Sequence, residues 1–185
     1  MSASATLCLG EALVDLICER PVLGLPEAPA FVPHFGGAVA NVAVVAAQHG
    51  AAVSLAGGAG ADAWGAWLRE RLVAEGVDVS RFELVEGWQT PVALVSIDAR
   101  GEPSYAIYGE AIATVMAALG DGVEQAVRDS DALLISSNTL VGEDERAITM
   151  RGRNAALELE RPVVFDPNLR LHRWPSRAGA AAAAN

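Results

Sequence analysis

Three stretches of the chain carry residue types that could do chemistry. The first is Phe35-Gly36-Gly37-Ala38-Val39-Ala40-Asn41-Val42-Ala43, where two glycines open a helix and one polar residue sits in its first turns. Glycine lets backbone N–H groups approach a ligand closely, and a helix start adds unpaired donors and a partial positive charge. The Asn41 amide both donates and accepts, which suits a hydroxyl-rich ligand. The same residues would also make a plain Gly-Gly turn before a buried helix, with Asn41 satisfied internally. The second stretch is Gly10-Glu11-Ala12-Leu13-Val14-Asp15-Leu16-Ile17, in which two acids interrupt an apolar run. A carboxylate there is costly unless it is paired or faces a cleft; otherwise Asp15 is a strand-end carboxylate in solvent. The third is Asp166-Pro167-Asn168-Leu169-Arg170, directly after the apolar run 162–165. Polar residues at the carboxyl end of a buried strand are where open α/β sheets place ligands. A proline turn with an Asn or Asp cap is the other reading.

Other chemistries are excluded by what the chain lacks. All 13 basic residues are arginine and none is lysine. A Walker A loop and a Schiff-base mechanism both need lysine. Cys8 and Cys18 form no C-x-x-C, and His34, His49 and His172 have no metal-ligand spacing, so neither a disulfide framework nor a metal site is expected. Two buried thiols in a reducing compartment is the default. A net charge of −10 argues against nucleic acid or an anionic membrane as the main partner. Without a long uncharged apolar run or a basic leader, neither a membrane span nor a signal peptide is expected, and a cytoplasmic protein follows as the default.

The elements that must position these residues alternate. Residues 6–10 read as a buried strand that 10–17 continues. Residues 21–33 hold four prolines and form a loop, with a short strand near Phe31-Val32. The helix over 38–49 is apolar almost all round and should be buried on most sides; Gly50 stops it. A strand over 52–56 leads into Gly57-Gly58-Ala59-Gly60, and Asp62 caps a helix over 63–75. Trp64 and Trp67 on that helix are packing residues rather than a ligand platform. The glycine run is not a dinucleotide fingerprint, because position 63 is Ala63, so a nucleotide-binding oxidoreductase domain has little support. Strand 90–98, turn 99–102 and strand 104–108 form the one clear antiparallel unit, protruding from the alternation on either side. Residues 111–128 are helical with a break near Gly120-Asp121-Gly122. A strand over 132–136, a charged helix over 143–160 and a strand over 162–165 follow. The alternation gives a doubly wound α/β fold with a mainly parallel sheet. The run 178–184 starts a helix that stops uncapped at Asn185, which reads as an incomplete chain.

Four stretches in order resemble the ribokinase/PfkB family of carbohydrate kinases: 10–15, then Gly36-Gly37-Ala38-Val39-Ala40-Asn41, then 57–76 ending in Glu75-Gly76-Val77-Asp78, and Asp166-Pro167-Asn168-Leu169-Arg170 with Trp174-Pro175. Their spacing matches the family's N-terminal half across nearly the whole chain. The resemblance implies a truncated Rossmann-like, ribokinase-like α/β domain over 1–185, with a small β lid built from about 12–35 and 90–109. It implies ATP-dependent, magnesium-assisted phosphorylation of a sugar hydroxyl, fructokinase-like or 2-keto-3-deoxygluconate-kinase-like. A non-catalytic sugar-binding or regulatory remnant is the alternative.

By the same resemblance, Asp15, Gly36, Gly37 and Asn41 hold the sugar and Tyr108 is a lid position near it. Asn168 and Arg170 lie near the phosphates and the substrate, a role that suits the arginine fork. The resemblance leaves room for a homodimer through the lid. Members acting on acid sugars commonly follow the lid tyrosine with arginine. Here Gly109 and Glu110 follow Tyr108, which favours a neutral hexose such as fructose. The family's general-base aspartate lies in a Gly-Ala-Gly-Asp turn of the C-terminal half. Here Gly58-Ala59-Gly60-Ala61 has alanine instead, so no catalytic base is expected in these residues.

Overall fold

The computed structural model describes residues 5–109, 116 and 119–184. Its main sheet has five parallel strands in the order β5-β4-β1-β8-β9. These are β1 (Ala5–Leu9), β4 (Ala52–Gly60), β5 (Phe82–Val85), β8 (Ala132–Ser136) and β9 (Val163–Asp166). Parallel strands buried on both faces are near-continuously apolar, and alternate residues of β1 serve two cores. Cys8 packs with Val44, Leu55, Leu68 and Leu72, on the side of α1 (Ala38–Gln48) and α2 (Ala63–Ala74). Leu7 and Leu9 pack with Val123, Val127, Ile148 and Ala156, on the side of α3 (Val123–Arg128) and α4 (Glu143–Glu158). The last described helix is α5 (Arg177–Ala184).

A second sheet has the order β3-β2-β6-β7, from β2 (Leu13–Cys18), β3 (Phe31–Gly36), β6 (Val92–Ile97) and β7 (Pro103–Tyr108). The β6–β7 hairpin therefore stands outside the main sheet. Its turn closes on Asp98, whose Oδ1 accepts from the N–H groups of Arg100 (2.8 Å) and Glu102 (2.9 Å).

Several expectations are corrected. The first strand does not continue through 10–17: β1 ends at Leu9, the chain turns at Glu11, and β2 joins the other sheet. The buried Glu11 side chain anchors that turn. The hairpin is not the one antiparallel unit, because β2 pairs antiparallel with β3 over six residues. Pro33 is tolerated in β3 because β3 is an edge strand. The glycine run at 57–60 is strand, not loop: β4 continues through it and pairs with β5, which the sequence reading did not find. Helix α1 is buried along Val39, Ala40, Ala43 and Val44 only, and Val45 is 55% exposed. Of the helix expected over 111–128, residues 111–115, 117 and 118 lie outside the described residues. The remainder shows a 3-10 turn at Gly120–Gly122 followed by α3.

Candidate sugar-binding cleft

β3 ends at Gly36 and α1 begins at Ala38, so Gly37 makes the whole turn, at φ +102° and ψ 130°. Side chains rarely adopt that φ, and a Cβ there would lie 2.5 Å from the Glu11 carbonyl oxygen. Gly36 is just as constrained: a Cβ on it would lie 2.3 Å from Asp15 Oδ2. The Asp15 carboxylate thus lies directly over the glycine turn. As the N-cap of α1, Gly37 has no side chain to cap the helix. Glu11 caps it from outside, its Oε1 accepting from the Ala38 N–H at 3.0 Å. Asn41, one turn further on, is exposed and makes no side-chain hydrogen bond among the described residues.

Asp15, Gly37 and Asn41 line one cleft together with Glu11, Ala38, Tyr105, Asn138, Asn168, Arg170 and Arg173. Burial raises the Asp15 pKa above the ordinary aspartate value, against the opposing charges of His34 and Arg170. His34 is its cross-strand partner in β3. The Arg170 guanidinium carbon sits 5.7 Å from the centroid of the Tyr105 ring, a cation–π contact that holds both at the cleft mouth. At the end of β9 the Asn168 N–H donates to Asp166 Oδ1 (3.1 Å). The stretch is a proline turn capped by aspartate, and Asn168 and Arg170 also line the cleft.

Two of the expected site residues are not in the lining. Gly36 acts from behind, as the surface on which Asp15 packs. Tyr108 is 60% exposed, and Tyr105 and Ile107 line the cleft in its place. Strand side chains alternate in direction, so 105 and 107 share a face that 108 does not.

Asn138 and Arg173 are cleft residues that the sequence reading did not single out, and Glu11 was marked only as a costly acid in an apolar run. Asn138 Nδ2 donates to Glu11 Oε1 (2.9 Å), and Arg173 Nη1 donates to Asn138 Oδ1 (3.2 Å). Asn138 was findable: Ser136-Ser137-Asn138-Thr139 is a polar run at the carboxyl end of a buried strand, the same signal that marked Asn168. Arg173 had no such signal. Among the described residues no group of three or more His, Cys, Asp or Glu could hold a metal ion. Cys8 and Cys18 are both buried free thiols. No described helix is long and apolar enough to cross a membrane.

The family model of the pfkB family carbohydrate kinases matches residues 4–185. The chain belongs to that family. It is 32% identical to Fructokinase-1 of Oryza sativa subsp. japonica, over 92% of this chain and 53% of that protein. Among solved structures, the fructokinase of Halothermothrix orenii superposes with a TM-score of 0.84 at 29% identity, covering 97% of this chain and 63% of that one. The fructokinase of Xylella fastidiosa with bound ATP gives a TM-score of 0.80 at 29% identity, covering 98% of this chain and 57% of that one. The chain spans about half the length of the curated relatives it matches. The fold is the ribokinase-like one, present in part.

Proposed function

We propose that this chain is the sugar-binding half of an ATP-dependent sugar kinase whose acceptor is fructose or a related neutral hexose. The observation that carries the reading is the meeting of Asp15, Gly37 and Asn41 with Asn168 and Arg170 in one cleft beside the β6–β7 hairpin. Asp15 accepts from sugar hydroxyls while the Asn41 amide both donates and accepts, which orients a polyol ring. Gly37 brings backbone close to that ring. Gly36 supports Asp15 from behind, and Tyr108 sits at the lid's outer face. Arg170 and Asn168 stand where phosphate oxygens of ATP would meet a guanidinium fork and an amide. Magnesium, when bound with ATP, neutralises charge on the transferring phosphoryl group. In the transfer the sugar hydroxyl loses its proton, its oxygen bonds to the γ-phosphorus, and ADP leaves. These residues provide positioning and charge for that step. The proton acceptor, by the family resemblance, belongs to a Gly-Ala-Gly-Asp turn that residues 1–185 do not contain.

The fructokinase relatives and the absence of a cation directly after Tyr108 support a neutral acceptor. Calorimetric titration of the chain with fructose, glucose and 2-keto-3-deoxygluconate tests this. Fructose should bind more tightly than the acid sugar. Asp15→Asn and Asn41→Ala should each weaken it by roughly 0.5–3 kcal/mol per lost hydrogen bond. Unchanged binding in both variants, or tighter binding of the acid sugar, would refute the assignment.

The lid supports one further reading, a homodimer. Among the described residues β7 is an edge strand, with Ile107 and Tyr108 more than half exposed. Sedimentation equilibrium should show a dimer that Ile107→Lys dissociates; a wild-type monomer at all concentrations would dismiss it.

A further inference from the structure

Glu11 is only 2% exposed, and no role described above accounts for all its contacts. One oxygen, Oε1, serves two donors from distant parts of the chain: the Ala38 N–H at the start of α1 and the Asn138 amide. Asn138 in turn receives Arg173, whose side chain lines the cleft. The second oxygen, Oε2, is buried without a hydrogen-bond partner among the described residues. Helix capping alone does not require this arrangement. Gly37 admits no capping side chain, so Glu11 supplies the cap, but a cap alone leaves its bond from Asn138 unexplained. Glu145, also buried with a free Oε2, is accounted for by its bond from the Gly142 N–H at the start of α4. Glu11 differs in joining two walls of one cleft.

We propose that Glu11 is a positioning residue for the cleft: it fixes Gly37 and Asn41 through the Ala38 N–H, and through Asn138 it aims Arg173 at the bound sugar, making Arg173 a specificity-determining contact. The inference rests on the sugar-kinase reading. Arg173 adds donors to a cleft wall that otherwise offers an amide and a carboxylate, so it selects acceptors with a hydroxyl or carbonyl oxygen on that side. Burial raises the Glu11 pKa, opposed by its own backbone, by the Asn138 and Ala38 hydrogen bonds and by the Arg173 charge. Oε1 is the acceptor for both donors. Glutamine offers the same acceptor, so Glu11→Gln should preserve the arrangement and Glu11→Ala should not.

The test uses residues 1–185 as wild type, Glu11→Gln, Glu11→Ala, Arg173→Met and the Glu11→Ala/Arg173→Met double variant. Folding is checked by circular dichroism and fructose affinity by calorimetry. Glu11→Gln should bind within about twofold of wild type, and Glu11→Ala about tenfold more weakly. Arg173→Met should lose about fivefold alone and add little to Glu11→Ala, since groups in one network are non-additive. Normal affinity in a folded Glu11→Ala, or penalties that multiply, would overturn the proposal. Asn138→Leu spares the Ala38 bond and carries the test if Glu11→Ala does not fold; it should reproduce the Arg173→Met loss. A sugar-independent readout separates the two readings. The Asn138 side-chain amide resonances should move in both Glu11→Ala and Arg173→Met. If wild type binds no sugar, the kinase reading fails and these resonances alone decide the relay; resonances that stay in place remove it.

Discussion

Asp15 and Glu11 show how burial sets the behaviour of single groups in the cleft. Both carboxyls are pushed up by burial, and for Asp15 the positive charges of His34 and Arg170 resist the shift. The sign of the stability effect follows from which state holds the proton. Above the ordinary glutamate value of 4.5 the unfolded chain has lost a proton that the folded chain keeps on Glu11. The contribution is therefore full below that value and falls as pH rises through the folded pKa. Glu11→Gln removes that titration, so its stability relative to wild type should climb with rising pH. Urea unfolding at several pH values checks this, and a difference that stays flat would contradict it. Asp62 shifts the other way. Burial pushes it up, but bonds from the Thr90 and Gly65 N–H groups, the Thr90 hydroxyl and the Trp64 N–H together outweigh burial and lower its pKa. Its contribution is present above the ordinary aspartate value of 3.8 and is lost as pH falls through the folded pKa. The sequence made the cost of an acid in an apolar run plain at Glu11. It could not give the partner, because Asn138 lies 127 residues away and only the fold brings the two together.

At the scale of elements, two junctions fix how the second sheet meets the rest of the molecule. The first is the Gly37 turn between β3 and α1. Gly37→Ala meets both an unfavourable φ and the Glu11 carbonyl, so it should destabilise by roughly 3 kcal/mol, read as a fall in thermal midpoint. An unchanged midpoint would show that the turn relaxes freely. The second is Asp62, which caps α2 through the Gly65 N–H (2.8 Å) and also accepts from Thr90 N–H (2.9 Å) and Thr90 Oγ1 (2.7 Å). Thr90 lies just before β6, so one carboxylate fastens the second sheet to the main one. Asp62→Ala should cost about 2–3 kcal/mol, and Thr90→Val should add little beyond it. The cap was legible from Asp62 standing before a helical pattern; its grip on Thr90 was not, since it spans 28 residues. β1, β4 and β8 were legible because parallel strands buried on both faces are continuously apolar, and β9 was legible from its apolar run, although Val164 is exposed. β5 was not, because Phe82–Val85 is a short edge strand with only Phe82 deeply buried. The resemblance named Tyr108, whereas Tyr105 and Ile107 are the lid residues that line the cleft. Almost every residue of β7 is exposed, so no apolar alternation fixes which face meets the cleft.

For the molecule as a whole, the family and the ribokinase-like fold follow from comparison. Phosphoryl transfer needs in-line placement of the γ-phosphate, charge stabilisation and a proton acceptor. Residues 1–185 offer the proposed acceptor cleft with Asn168 and Arg170, but no lysine and no Gly-Ala-Gly-Asp turn. Supplied with ATP, magnesium and a panel of sugars, they should release no ADP in a sugar-dependent way. Turnover that Asp15→Asn abolishes would place the catalytic group within them. The central claim is narrower, that the cleft beside the hairpin is where a sugar binds. Its most direct test is a fructose titration of the 15N-labelled chain followed by NMR. Saturable shifts should concentrate on Asp15, Gly37, the Asn41 side-chain amide and Tyr105, and disappear in Asn41→Ala. Shifts centred elsewhere, or none up to high millimolar sugar, would contradict it.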